Sequence, residues 1–238
     1  ASMFSSLKSI FLDILFPVLC LSCKKEGSFL CSECKNSLPL LPPTCFVCHA
    51  MTSSHDNKST GRTCPLCRKK TLINTFLSPF SYRHPLVNIL IHEFKYQRIR
   101  SLGSVCAELI ISYFTYYGVV FPSQAVIVPI PLHPRKQRVR GFNQALLIAG
   151  EVSNHLQIPL ETRCLIRTTL HTPQSALSLP LRRKNVENIF NVHDPDKIRG
   201  KVILLFDDIK TTGATLEEAA RVLKKVGAKA IWAITFAH

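Results

Sequence analysis

Two adjacent carboxylates and a hydroxyl-rich turn stand close together near the end of the chain. Asp207 and Asp208 can accept hydrogen bonds from a vicinal diol, such as the 2′ and 3′ hydroxyls of ribose. The turn that follows offers backbone N–H groups and three hydroxyls, and it consists of Thr211, Thr212, Gly213, Ala214 and Thr215. Because a helix pattern begins there, its orphan amides and its dipole favour an anion. The sequence therefore predicts a site for a sugar phosphate.

The flanking elements place this site at the edge of a parallel sheet. Residues 202–206 are all apolar, as expected for a strand that is covered on both faces. Ligands of such sheets bind just beyond the carboxyl ends of the strands, which is where the two aspartates stand. The helix that follows has an apolar stripe, two lysines in its last turn and Gly227 at its end. A phosphate loop that ends in Gly-Lys-Ser/Thr is absent from the sequence.

Further strand and helix patterns alternate along the chain. Apolar runs predict strands at residues 77–83, 125–130, 161–166 and 229–236. Helical periodicity predicts helices at residues 84–97, 102–116 and 141–156. This alternation is typical of an α/β fold with a mostly parallel sheet flanked by helices. The stretch that follows the strand at 125–130 is predicted to be a loop at the ligand edge of the sheet.

Eight of the ten cysteines form four Cys-x-x-Cys pairs within 48 residues. The pairs are Cys20/Cys23, Cys31/Cys34, Cys45/Cys48 and Cys64/Cys67. A Cys-x-x-Cys turn places two thiolates on one edge of a tetrahedron, so two such turns complete a Cys₄ zinc site. Four pairs therefore predict two structural zinc sites, whose pairing along the chain is sequential or interleaved. Disulfides are the alternative, but nothing in the sequence indicates secretion.

We place a domain boundary near residue 75. Residues 1–75 are expected to form an N-terminal helix, over Phe4–Leu15, and a double zinc-ribbon module. Residues 76–238 are expected to form the α/β domain. The apolar stretch at residues 10–20 contains an aspartate and a proline, is too short to span a bilayer and lacks a signal cleavage site. We therefore expect a cytoplasmic protein without a membrane span.

The chain carries a large excess of positive charge. Thirty Lys and Arg oppose 15 Asp and Glu, which gives a formal net charge of +15. Such an excess favours a polyanionic partner, most often a nucleic acid, although a solvated basic surface is the simpler alternative. Two stretches concentrate charge that could contact DNA phosphates: Arg135, Lys136, Arg138 and Arg140 in the first, and Arg182, Arg183 and Lys184 in the second.

These features together resemble the ComF/ComFC competence family. The resemblance rests on the four Cys pairs, on Lys95-Tyr96, on residues 128–133, 140–144 and 207–215, and on residues 172–174 with Arg183, Asn185 and Val186. It implies a zinc ribbon joined to a type I phosphoribosyltransferase-like domain that binds phosphoribosyl pyrophosphate (PRPP) with Mg²⁺. In that family pattern Asp207 and Asp208 hold the ribose, and residues 211–215 hold the 5′-phosphate. The pyrophosphate is assigned to Pro131, Leu132 and His133, and to a mobile hood with Arg182 and Arg183.

Three functions compete at this point, one of which is a protein-docking adaptor whose zinc module recruits a helicase or another DNA-processing partner. The resemblance implies a role in natural transformation and DNA uptake, in which the protein handles incoming single-stranded DNA and retains a PRPP site. A DNA-processing protein such as a helicase is the expected partner, and Phe142 or another aromatic side chain would stack on bases. The alternative is an active phosphoribosyltransferase that releases pyrophosphate from PRPP onto an acceptor. The sequence identifies neither a pocket for that acceptor nor a catalytic residue.

Overall fold

The structure is a computed structural model that describes residues 17–52, 60–168 and 188–238. The central sheet and all eight paired cysteines fall within these ranges. The expected N-terminal helix over Phe4–Leu15 lies outside them. The second basic stretch, with Arg182, Arg183 and Lys184, also lies outside the described residues.

A four-stranded parallel sheet forms the centre of the fold. Its strands are β1 (Thr75–Leu77), β2 (Ala125–Pro129), β5 (Val202–Ile209) and β6 (Ala230–Ala237), in the order β1-β6-β5-β2. Every neighbouring pair in this sheet is parallel. Two short strands, β3 (Leu165–Arg167) and β4 (Phe190–Val192), form a separate antiparallel pair. The predicted α/β class with a mostly parallel sheet is thereby confirmed.

Helices cover both faces of this sheet. Those of the described ranges are α1 (Ser32–Asn36), α2 (Pro85–Tyr96), α3 (Leu102–Tyr116), α4 (Pro134–Arg140), α5 (Gln144–Leu156) and α6 (Ala214–Lys225), with a 3₁₀ turn at Pro195–Lys197. Side chains alternate along β5, so Leu204 and Phe206 pack in the core beneath α2, α3 and α5. Ile203 and Leu205 pack in the opposite core, beneath α6. Within the described ranges, no helix has both the length and the apolar character needed to cross a membrane.

Two elements of the site differ from the sequence prediction. Residues 134–140, which we expected to be a loop, form α4. The N–H of Arg135 donates to Nδ1 of His133 at 3.2 Å, which caps the start of this helix, and Gly141 ends it in the left-handed conformation. β5 continues past its apolar run, so Asp207 and Asp208 lie within the last three residues of the strand.

The two cysteine-rich segments pack against opposite faces of the sheet. Cys20 and Leu38 belong to the core beneath α2 and α3. Phe46 belongs to the core beneath α6. Between them, the edge strand β1 is covered by the module, because the N–H of Phe76 donates to the carbonyl of Gly61 at 2.8 Å. The N-terminal module therefore straddles the edge of the sheet.

Phe206→Ala should destabilise the protein strongly. Phe206 is fully buried on β5, one residue before the aspartates, and its truncation leaves a cavity. We expect the free energy of unfolding, measured by urea denaturation, to fall by about 3–5 kcal/mol. The control is Val120→Ala, because Val120 is 82% exposed and its truncation should cost less than about 0.5 kcal/mol. Equal losses in the two variants would contradict the described core.

Candidate functional site

The two adjacent aspartates lie at the carboxyl end of β5, beside a lysine from α2. Nζ of Lys95 lies 2.9 Å from Oδ2 of Asp208, and each of these side chains is 16% exposed. The N–H of Asp208 donates to Oδ1 of Asp207 at 2.8 Å, and the N–H of Ile209 donates to Oδ1 of Asp208 at 2.8 Å. These contacts fix the orientation of both carboxylates at the strand end.

The carboxylate pair is held in an unfavourable charge environment. Burial, and next to it the negative charge of Asp208, raise the pKa of Asp207 well above its usual value, although the charge of Lys95 opposes the shift. A raised pKa means that full ionisation of the pair is costly in the folded protein. Hydrogen-bond donors or a cation beside the pair would lower that cost. A ribose diol and a hydrated Mg²⁺ both have this character.

A cleft of about 140 Å³ brings together segments that are far apart in the sequence. Its walls come from both aspartates, from Pro131 and Leu132 after β2, and from Thr215 of the hydroxyl-rich turn. Four basic side chains complete this part of the lining: Lys95, Lys136, Arg140 and Arg167. Because these four cations face two carboxylates, the cleft has an excess of positive charge that suits a ligand with several negative charges.

Three other residues of the predicted site lie beside the cleft rather than in its wall. Arg135 and Arg138 are exposed on α4, and His133 is the N-cap of that helix. Burial and then the charge of Arg167 lower the pKa of His133, which favours the neutral ring that accepts at Nδ1. In this structure His133 supports α4, and its role in pyrophosphate binding stays a prediction.

Sequence reasoning gave no site role to several residues of the cleft, among them Lys95, Arg167 and Asn143. Arg167 is the last residue of β3; burial lowers its pKa, and the charge of Asp207 opposes the shift. Asn143 is the N-cap of α5, and its Nδ2 donates to the carbonyl of Ile130 at 2.9 Å. An asparagine before an apolar helix is an N-cap signal that could have identified this residue. No sequence signal indicated Arg167.

Gly213 shapes the hydroxyl-rich turn. It is the N-cap of α6 and has φ 79°, a conformation that glycine adopts without strain. A Cβ at this position would lie 2.7 Å from Cζ of Phe46, so there is also no room for a side chain. The N–H of Ala214 donates to Oγ1 of Thr212 at 3.4 Å. The turn is therefore packed directly on the cysteine-rich module.

The same turn separates the cleft from a second cavity of about 740 Å³. Thr211, Thr212 and Ala214 line this second cavity, whereas Thr215 lines the cleft. The opposite wall belongs to the N-terminal module and comprises Phe46, Val47, His49, Lys70 and Leu72. A phosphate held by the turn would therefore lie close to both parts of the molecule.

Lys210 is buried immediately before the turn and is only 7% exposed. Its Nζ lies 3.3 Å from Nε2 of His49 and stands 4.8 Å over the ring of Phe46. Burial lowers the pKa of Lys210, and burial together with the charge of Lys210 lowers the pKa of His49. A neutral His49 can accept a hydrogen bond from the ammonium group. Lys210 takes part in none of the ion pairs found among the described residues.

The eight paired cysteines form two Cys₄ groups in sequential order. The first group contains Cys20, Cys23, Cys31 and Cys34, and the second contains Cys45, Cys48, Cys64 and Cys67. Within each group the Sγ atoms lie within 4.8 Å of one another. The Sγ separations of 3.6 Å for Cys23–Cys31 and 3.8 Å for Cys48–Cys64 match the roughly 3.8 Å expected of thiolates on a tetrahedral zinc. Both groups could hold zinc, and interleaved pairing is excluded.

The most buried cysteines of the two groups are poised to ionise. Burial raises the pKa of Cys45, but hydrogen bonds from the backbone of Cys48 and Cys64 outweigh it and lower that pKa to about 6. Cys20 in the first group behaves alike, with burial outweighed by backbone hydrogen bonds and a pKa lowered to about 6. Because the thiolate is the form that binds metal, each group offers a ready ligand near neutral pH.

The structure corrects one expectation about base stacking. Phe142 is buried and packs against Phe94, with ring centroids 5.5 Å apart, so it cannot stack on a base. The exposed aromatic near the cleft is Tyr96, at the end of α2, which is 60% exposed. Cζ of Arg140 lies 5.8 Å over the Tyr96 ring, and the His92 ring lies 4.9 Å from it.

Known proteins resemble both parts of this chain. The phosphoribosyl transferase domain family matches residues 143–238. DNA utilization protein YhgH of Escherichia coli strain K12 is 28% identical over 223 residues, which cover 90% of this chain and 94% of the relative. Competence protein F of Haemophilus influenzae is 29% identical over 221 residues, with coverages of 90% and 87%. Competence protein ComFC of Bacillus subtilis strain 168 is 29% identical over 231 residues, with coverages of 88% and 90%.

Asp207→Asn should stabilise the protein near neutral pH. A carboxyl whose pKa is raised on folding costs stability as pH rises from its ordinary value of 3.8 through the raised value, because the folded state then binds more protons than the unfolded state. Removal of this carboxyl should raise the melting temperature near neutral pH and flatten its decline as the pH rises from 3.8 to neutrality. Thermal unfolding across this pH range measures both effects.

The control for this prediction is Asp196→Asn, which removes an exposed carboxylate whose side chain is 86% accessible. Its melting temperature should follow that of the unaltered protein at every pH. An Asp207→Asn variant that melts no higher than the unaltered protein at neutral pH would contradict the conclusion that ionisation of the carboxylate pair costs stability.

Proposed function

Because the chain belongs to the ComF/ComFC competence family, we propose that it acts in DNA uptake during natural transformation, binding single-stranded DNA and PRPP. The observation that carries this proposal is the meeting of three features at one sheet edge. These are the carboxylate pair, the glycine-shaped turn and a group of four basic side chains in one cleft. A basic helix and an exposed aromatic stand beside them.

For PRPP, each part of the ligand finds a complementary group. Asp207 and Asp208 would accept hydrogen bonds from the ribose diol, and the amides and hydroxyls of residues 211–215 would hold the 5′-phosphate. Lys136 and Arg167 in the cleft would attract the pyrophosphate, next to the backbone of Pro131 and Leu132. Mg²⁺ would enter with the pyrophosphate and neutralise part of its charge. His133, Arg182 and Arg183 complete the proposed pyrophosphate contacts.

For single-stranded DNA, the support comes from α4 and its surroundings. Arg135 and Arg138 are exposed on α4, while Lys136 and Arg140 of the same helix reach the cleft. Single strands are bound without sequence preference by basic grooves that carry stacking aromatics. Tyr96, held by Arg140, provides such an aromatic at the mouth of the cleft. Arg182, Arg183 and Lys184 are proposed to extend this basic surface.

The N-terminal module is proposed to hold two structural zinc ions, one in each Cys₄ group. Structural zinc sites are four-coordinate and closed, and both groups offer four thiol ligands within 4.8 Å of one another. We place the protein in the cytoplasm, where incoming single strands meet DNA-processing enzymes. A helicase or a similar enzyme is the proposed protein partner of the module.

A second candidate function is an active phosphoribosyltransferase. The four basic side chains of the cleft favour it, because they would stabilise pyrophosphate as it leaves the ribose. Release of pyrophosphate from PRPP in the presence of bases, amines or single-stranded DNA would support this function. A rate that no acceptor raises above the rate of PRPP hydrolysis in buffer would leave PRPP as a bound ligand alone.

The two proposed ligands should respond to different substitutions. Asp207→Asn combined with Asp208→Asn should weaken PRPP·Mg²⁺ binding by about tenfold or more, because two ionised acceptors are lost. The same variant should keep its affinity for single-stranded DNA. Arg135→Ala combined with Arg138→Ala should show the reverse, and the slope of log affinity against log salt should fall by about 1.4. Calorimetry with PRPP·Mg²⁺ and fluorescence anisotropy with an oligonucleotide measure these effects.

The matched control removes two positive charges elsewhere. Lys225 and Lys229 are exposed near the C-terminal end of α6 and the amino end of β6, whereas the cleft lies at the carboxyl ends of the strands. Lys225→Ala combined with Lys229→Ala should change neither affinity by more than about twofold. Equal loss of both ligands in both test variants would refute the separate assignment, and an oligonucleotide affinity independent of salt would refute phosphate-driven binding.

Tyr96→Leu should weaken single-stranded DNA binding by about tenfold, because a base that stacks on an aromatic ring contributes about 1–3 kcal/mol. Tyr96→Phe keeps the ring and should bind nearly as tightly as the unaltered protein. Tyr116→Leu is the matched control, since Tyr116 is 72% exposed but lies at the end of α3. Anisotropy titrations with an oligonucleotide compare the three variants. An equally large loss of DNA affinity in Tyr116→Leu would contradict a specific stacking role for Tyr96.

A further inference from the structure

The second Cys₄ group lies against the turn that the proposed function assigns to the 5′-phosphate. Phe46 stands between Cys45 and Cys48, and His49 follows directly. Both Phe46 and His49 line the cavity that the turn borders. The metal ligands and the contacts to the turn are therefore carried by the same five-residue segment.

Packing between this segment and the turn is close. The ring of Phe46 occupies the space in which a Cβ of residue 213 would lie, at a distance of 2.7 Å. The same ring is 4% exposed and meets the ring of Phe76 edge-on, with centroids 5.4 Å apart. Phe46 is thus fixed between the edge strand of the sheet and the start of α6. A displacement of Phe46 would remove the surface on which the turn is packed.

His49 extends this contact to Lys210, the residue before the turn. Its Nε2 lies 3.3 Å from Nζ of Lys210. Its ring is stacked on that of His238 at the end of β6, with centroids 5.3 Å apart and an angle of 4°. His49 itself has φ 58°, so the backbone after Cys48 is held in a left-handed conformation. The segment is therefore anchored at both of its ends.

The first Cys₄ group makes no comparable contact in the described part of the chain. Its segment packs in the core beneath α2 and α3, and Lys35 forms an ion pair with Glu108 of α3 at 2.5 Å. None of its residues lines the cleft or the second cavity. The two groups are alike in their four thiol ligands and in the Cys-x-x-Cys spacing of each pair. They differ in the length of chain between the pairs and in their contact with the turn.

We propose that the second Cys₄ group positions the phosphate-binding turn, so that metal in this group, and not in the first, raises the affinity for a pentose phosphate. This inference rests on the proposed PRPP site. Four thiolates stay within 4.8 Å of one another at low cost only when a cation holds them. Loss of the metal would release Phe46 and His49, and the turn would have to be ordered again when the phosphate binds.

The experiment compares two cysteine variants that each remove one ligand at the same position of a group. Cys48→Ser disrupts the second group and Cys23→Ser the first; both cysteines are exposed. Each variant is purified as the full chain, its zinc content is measured, and PRPP·Mg²⁺ and ribose 5-phosphate are titrated by calorimetry. We expect each variant to lose one zinc. Affinity for both ligands should fall about tenfold or more in Cys48→Ser and change less than twofold in Cys23→Ser.

Phe46→Leu tests the packing without touching a ligand. It should keep both zinc ions and still lose affinity for ribose 5-phosphate by about fivefold. This variant also decides the matter if Cys48→Ser does not fold. Its control is Leu66→Ala, because Leu66 also stands between two cysteines of the second group but is 87% exposed. The control should bind both ligands as the unaltered protein does.

Thermodynamic linkage supplies a second and independent measurement. If metal in the second group raises PRPP affinity, PRPP must raise metal affinity by the same factor. In an equilibrium competition with a chelator, zinc removal should therefore divide into two equal amplitudes when PRPP·Mg²⁺ is present. The zinc affinity behind one amplitude, the protected one, should rise about tenfold, and the other should be unchanged. Cys48→Ser should lack the protected amplitude, whereas Cys23→Ser should retain it.

The outcomes separate the two proposals. If the unaltered zinc-loaded protein binds neither PRPP·Mg²⁺ nor ribose 5-phosphate, the proposed function fails. If it binds both, and Cys48→Ser lacks one zinc yet binds as tightly as Cys23→Ser, the coupling is refuted while the proposed function stands. Protection of both zinc ions by PRPP, or of neither, would also refute the assignment to the second group.

Discussion

The parallel register between β2 and β5 determines where the groups of the candidate site meet. Pro129 pairs with Phe206, so β2 ends level with the residue before the first aspartate. The N–H of Ile130 then donates to the carbonyl of Phe206 at 2.8 Å, which holds the start of the next loop beside Asp207. Because β5 is buried on both faces, a slip by one residue would exchange the side chains of its two cores. Core packing therefore enforces the register that forms the cleft.

The charges gathered at this edge are a cost to the fold that a ligand can offset. Two carboxylates stand side by side at the end of β5, and Lys95 and Arg167 compensate only part of their repulsion. Lys210, buried on the other side of the turn, lies against aromatic rings and an imidazole. Arrangements of this kind are expected where binding, rather than stability, decides which residues are present. The proposed ligand carries a diol that would donate to the carboxylates and anionic groups that would pair with the basic side chains.

The sequence pattern predicted those elements that are determined by residues close together in the chain. The apolar run at residues 202–206 and the glycine-containing turn identified the strand, the helix and the aspartate site between them. Helix α4 was missed because none of its side chains is buried, so its basic sequence has no apolar period to detect. The contacts of Arg167 and His49 depend on packing between distant segments. The order of the Cys₄ groups was equally hidden, since Cys-x-x-Cys spacing is compatible with sequential and interleaved pairing.

The cysteine-rich module is positioned by two requirements: the edge strand of the sheet must be covered, and the module must bury its apolar side chains. The edge strand β1 would expose unpaired backbone groups, and the hydrogen bond between Phe76 and Gly61 covers part of that edge. The module is too small to bury a large core of its own. It gains one by inserting Cys20 and Leu38 on one face of the sheet and Phe46 on the other. The insertion of Phe46 is also what brings the second Cys₄ group to the turn, so the contact between them arises from the same packing that stabilises the module.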